Sequence, residues 1–239
     1  MGAQVVAHAC QLPKLDTAAA LETFSAAALL VKYAAADGCI PPECALRMAA
    51  KLGWRIVQRE SSAANAASAS TAGARERAIV AKMIGDCVQH LGSTALASAE
   101  QHAAGGHLQT QEAADNLLAV LTQLCVWMLS DTAASGADDR TRLAQEGAQQ
   151  VLKRLLADRR HVASAIGSAS TSRRLGAARL IASWISRAAP QNDIRRLPPL
   201  ALAATALRML CNGEPFSASC LHTADGRTRL HAQASVLPP

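Results

Sequence analysis

Residues 117–129 read LLAVLTQLCVWML, an apolar run broken only by Thr122 and Gln123. A surface helix shows its core one stripe, so a helix that is apolar nearly all round is covered on several sides. Working outward, four further stretches carry a single apolar stripe at the i, i+3, i+4, i+7 spacing of a helix. They are Ile79, Val80, Met83, Ile84, Cys87, Val88 and Leu91; Ala148, Val151, Leu152, Leu155 and Leu156; Ala177, Leu180, Ile181, Trp184 and Ile185; and Leu200, Ala203, Ala204, Leu207 and Leu210. Helices over residues 18–36 and 43–59 follow from a looser pattern of the same kind.

Composition agrees. The chain has 239 residues, of which 54 (23%) are alanine, the best helix former, while the aromatics number only six. Strand-forming residues are too scarce for a β-sandwich or barrel, so the fold class is all-α. The length suffices to bury a core without disulfides or metals.

Between the stripes lie stretches poor in large apolar residues. Residues 61–74 (SSAANAASASTAGA) hold no bulky side chain and only the polarity of Ser, Thr and Asn, and are expected to form a flexible linker, a helical extension being the other reading. Residues 93–110, 131–139 and 163–172 are expected to interrupt the helices in the same way. This divides the chain into an N-terminal helical segment (1–60), a linker (61–74), a helical body (75–211) and a partly disordered tail (212–239).

Residues 138–156, DDRTRLAQEGAQQVLKRLL, read as a short helix to Glu146, a break at Gly147 and an amphipathic helix beyond it. This pattern resembles the armadillo repeat, in which a short helix ends in a small-residue turn before a second and a third helix. Asp139-Arg140-Thr141-Arg142-Leu143 has an echo 54 residues on in Asp193-Ile194-Arg195-Arg196-Leu197. With about 12 residues of Ser/Ala-rich insertion taken out, that offset falls to about 42, within the period of armadillo and HEAT units. Gly38-Cys39-Ile40-Pro41-Pro42 looks like a further glycine-to-proline passage into a helix. The resemblance spans residues 117–211 and implies an α-solenoid of degenerate armadillo-like repeats. In that family third helices line a groove whose asparagines hold a partner peptide by its backbone; here Gln123, Ser183 and Met209 fall at that position. Trp127 and Trp184, each on a third helix, either line the groove or fill the core.

Charge is unevenly spread. Residues 1–139 carry 9 Lys/Arg and 13 Asp/Glu, whereas residues 140–208 carry 13 and 3, a net +10 within a chain whose overall charge is +6. Twelve of those thirteen cations are arginine, which forks onto carboxylates and phosphates. Arg154, off its helix stripe, and Arg173, Arg174, Arg195 and Arg196, beside helix starts, are the candidate partner-binding cations. An acidic protein partner is the leading expectation; nucleic acid or an acidic membrane surface is the alternative, and arginines that merely solvate a helix face are the simplest reading. Six aromatics leave little surface for stacking on bases.

No catalytic signature is present: no GxSxG, GxxxxGK, HExxH or GxGxxG. Seven scattered cysteines and seven scattered histidines show no metal-ligand spacing, so neither a metal nor a cofactor is expected. The cysteines read as small core residues of a reducing compartment. No signal peptide or transmembrane segment is expected, the apolar runs at 26–36 and 117–129 being short of about 20 residues. The expectation is a non-enzymatic interaction scaffold of the cytoplasm or nucleus.

Overall fold

The computed structural model describes residues 2–12, 15, 18–65, 74–105, 110–130, 139–157, 162, 166–189 and 197–211. Its main helices are α1 (Gly2–Gln11), α2 (Ala18–Ala36), α3 (Pro42–Asn65), α4 (Ala74–Gly105), α5 (Gln111–Leu129), α6 (Asp139–Ala157), α7 (Thr171–Ala188) and α8 (Leu197–Cys211). No strand occurs among the described residues, as the alanine content and the stripes require.

The helices stack in two rows. α1 packs on α3, α3 on α5 and α5 on α7, while α2 packs on α4, α4 on α6 and α6 on α8. Contacts such as α1 with α2, α3 with α4 and α7 with α8 join one row to the other. α5 sits at the centre, touching α3, α4, α6, α7 and α8, and every residue from Val120 to Leu129 is buried. Thr110 caps its start, accepting from the Ala113 amide at 3.3 Å, and the Ser130 hydroxyl closes its end on the Trp127 carbonyl at 2.8 Å.

The stripes of α6, α7 and α8 face the core: Ala148, Val151, Leu152, Leu155 and Leu156 are all buried, as are Ala177, Ile181, Trp184, Ile185, Ala203 and Leu210. In α4 the stripe holds from Ile84 onward, but Ile79 at its start is exposed. Gly38 ends α2 with φ +68°, a conformation that costs glycine nothing. Pro42 then opens α3, where its missing N–H is no loss.

Four readings of the sequence are corrected. α4 runs unbroken through residues 93–105, because Thr94, Ala95, Ser98 and Ala99 are buried rather than loop-forming. Small side chains let helices approach closely, and the Thr94 hydroxyl is satisfied by the His90 carbonyl at 2.9 Å. α6 likewise passes straight through Gly147. A Cβ there would strike the Gln89 side chain of α4, so this glycine serves a helix crossing and not a turn. α3 continues past residue 60 to Asn65, as the high helix propensity of alanine allows, while residues 66–73 lie outside the described set. Within 163–172, Ile166 and Ala169 are buried, a helical turn covers 166–168, and α7 begins at Thr171. α6 and α8 begin 58 residues apart, and α5 and α7 begin 60 apart. Residues 131–138 and the tail 212–239 lie outside the described set.

Helix α2 over Ala19–Ala36 and helix α5 over Gln111–Leu129 are long and apolar enough to cross a membrane by length and composition. Most of α5 is enclosed by the other helices, as befits a core helix, whereas α2 buries one face, with Leu21, Phe24, Ala27, Ala28 and Val31, and leaves most of the rest exposed or half-buried. Of the cysteines, Cys39 is exposed, Cys10, Cys44 and Cys211 are half-buried, and Cys87 and Cys125 are buried. Burial pushes the thiols of Cys87 and Cys125 up to about 12.

Candidate functional site: a cationic groove

The helices α1, α3, α5 and α7 belong to one row, and together they border an open groove of about 990 Å³. Its floor is apolar: Val6 of α1, Met48 of α3, Leu118 and Ala119 of α5, and Ala177 and Leu180 of α7. Its walls are cationic. Arg47, Lys51 and Arg55 follow one another at i, i+4 and i+8, which puts them on one face of α3 about 6 Å apart along the axis. Arg173 answers them from α7.

Among the described residues Asp115 is the one carboxylate in the lining, and it is already engaged. Its Oδ1 accepts from the Ser170 amide at 3.0 Å, with the Ser170 hydroxyl 3.4 Å away. Ser170 is the N-cap of α7 and makes no side-chain cap bond of its own; Asp115 thus receives the start of α7, where a negative charge suits the helix dipole. This contact fixes Ser172 and Arg173 at the groove edge. Arg47 pairs with Glu112 at 3.5 Å, both side chains being exposed. Arg55 donates to the neutral side-chain Oε1 of Gln58 at 2.8 Å. Among the described residues no carboxylate pairs with Lys51, Arg55 or Arg173.

Two other side chains complete the groove. Trp54, on the α3 wall, is 44% exposed. Cys10 is half-buried on α1; burial raises its thiol pKa, with the charges of Lys51 and Arg55 pulling the other way. Among the described residues the lining contains no histidine, and no group of three or more His, Cys, Asp or Glu side chains could hold a metal ion. What the groove offers chemically is positive charge above an apolar floor.

No protein-family profile, curated protein or solved structure matches this chain.

The residues singled out in the sequence do not converge on this groove. Gln123 and Trp127 are 0% exposed in the core of α5, and Trp184 is buried on α7 beneath the Arg187 guanidinium, 5.3 Å from its ring. A partner cannot touch the first two without parting the helices. Arg174 is 4% exposed, correcting its expected place on a surface, because its position on α7 turns it inward beside Ala177 and Ala178. Ser183 is half-buried with its hydroxyl donating to the Leu180 carbonyl at 2.8 Å. Arg154 is exposed on α6 and pairs with Glu100 at 3.2 Å, outside the groove. Arg173 alone lines it. Arg195 and Arg196 lie outside the described residues.

Arg47, Lys51, Trp54 and Arg55 were not singled out. They lie in the half of the chain with net negative charge, which hid them from a count by segment. Their i, i+4, i+8 spacing on a helix with its apolar residues elsewhere was the available signal.

Proposed function

We propose that this protein is a non-enzymatic binding module that captures an acidic segment of a partner protein in the groove along α1, α3, α5 and α7. The observation that carries this reading is the facing of Lys51 and Arg55 by Arg173, with no carboxylate paired to any of the three among the described residues. Closely spaced cations repel one another, and an anionic segment relieves that repulsion while its apolar side chains cover the floor. The two rows of helices support a short α-solenoid of hairpins, α1–α2, α3–α4, α5–α6 and α7–α8, with one row presenting the groove. An armadillo-like origin fits such stacking, with a two-helix unit in place of three, since α6 does not break at Gly147.

Nucleic acid is the less favoured occupant, because the floor is apolar and, among the described residues, Trp54 is the one aromatic in the lining. Fluorescence anisotropy tests the reading with labelled peptides rich in Glu and Leu, an oligothymidylate and anionic vesicles. The expected result is peptide binding that weakens steeply with salt and drops at least about tenfold in the variant Lys51→Glu/Arg55→Glu/Arg173→Glu. Binding of the oligonucleotide or vesicles in preference to every acidic peptide would overturn it.

A further inference from the structure

We infer that the occupant of this groove is an amphipathic α-helix, its apolar face on the floor and carboxylates along both flanks; the inference rests on the groove being a site for an acidic segment. Three observations point to a helix over an extended chain. First, an extended segment needs partners for its own backbone N–H and C=O groups, and the apolar floor supplies none, whereas a helix satisfies its backbone internally. Second, two polar side chains of the lining are committed within the protein, Thr122 donating to the Leu118 carbonyl at 2.8 Å and Asp115 holding Ser170. Among the described residues this leaves Gln11, Asn116 and Ser172 as the uncommitted neutral polar groups of the lining, too few to pair the backbone of an extended segment along the groove. Gln123 and Ser183, at the positions where an armadillo protein would grip an extended peptide, are buried in the α5 core and bonded to Leu180 respectively. Third, cations stand on both walls, three along α3 and one on α7. A helix lying between them meets both walls with acidic flanks, and carboxylates at i, i+4 and i+8 repeat the spacing of Arg47, Lys51 and Arg55 over about 12 Å.

The floor is also built for close approach by a helix. Ala119, Gly176 and Ala177 present little or no side chain, and a Cβ added at Gly176 would meet nothing within 4 Å. That open space supplies a blocking variant. Gly176→Trp projects an indole into the groove from an exposed position in α7, leaving the core packing of the helix unaltered.

The test uses the whole chain and three fluorescein-labelled peptides of matched length. One has a Leu/Ala face flanked by Glu at i, i+4 and i+8; the second is a scramble of the same residues without helical period; the third replaces Glu by Lys. The helical acidic peptide is expected to bind at least about tenfold more tightly than the scramble, the Lys peptide not at all. Gly176→Trp should abolish binding with circular dichroism unchanged and the melting temperature no lower, and Lys51→Glu/Arg55→Glu should transfer preference to the Lys peptide. Equal binding of helical and scrambled acidic peptides overturns the helix and leaves acidic capture standing. Binding by neither brings down both. Unaltered binding to a folded Gly176→Trp protein shows that the peptide sits elsewhere and overturns the inference.

Discussion

Gly53 stands where α3 crosses α5, and the Gln123 side chain occupies the place its Cβ would take. Gly53→Ala must therefore displace Gln123 inside a filled core, at a cost of about 1–3 kcal/mol in chemical denaturation. In a Gln123→Ala background the same change should cost little or stabilise, since alanine is the better helix former; a double-mutant cycle with no coupling would refute the contact. Among the described residues neither amide atom of the Gln123 side chain has a hydrogen-bond partner. Gln123→Met keeps the volume and removes that penalty, so its denaturation midpoint should be unchanged or higher. A glutamine inside an apolar run invites a reading as a ligand-holding side chain. That it packs on a glycine 70 residues earlier was not legible, because the sequence does not say which α3 residue lies opposite.

Between elements, the contact of α2 with α4 carries a titratable pair. The Lys32 ammonium lies 3.3 Å from Nδ1 of His90, which fits a lysine donating to a neutral imidazole. Burial first, then the Lys32 charge, holds the His90 pKa below its usual value, with Asp86 opposing; Asp86 is itself paired with Lys82 at 3.0 Å. A folded-state pKa below the unfolded one means that the unfolded chain binds the proton more readily. The stabilisation is complete above about pH 6.5 and is lost as pH falls from there through the folded pKa. The melting temperature should therefore drop more between pH 7.5 and 5.5 in the native protein than in His90→Gln, and parallel curves would count against this pair. On α7, Gly176→Ala fills open space within a helix and should raise stability by about 0.5–1 kcal/mol. Helix existence was legible wherever large apolar residues kept a period. The ends were not, because Ser/Ala-rich stretches such as residues 93–105 read as loops when judged by bulk, and their packing value appears only against a close neighbour.

At the scale of the whole molecule, the cation-lined groove reaches Trp54 but not the buried Trp127 and Trp184. Iodide should therefore quench one component of the tryptophan emission, and more strongly than caesium does, since the anion collects where Lys51 and Arg55 stand. Lys51→Glu/Arg55→Glu should reverse that order; quenching that ignores the sign of the quencher would deny the field. Of this site only Arg173 was legible, because the groove is assembled from four helices spread over residues 2–188 and its charge comes mainly from the acidic half of the chain. The graded burial of the thiols has a further consequence. Cys39 lies open beside the Gly38 turn, whereas Cys125 is sealed in α5. A thiol-specific reagent should tag the first on mixing and the second only during excursions that pull α5 out of the core, so the ratio of the two labelling rates, read by mass spectrometry, gives the chain an internal clock for how often its centre opens.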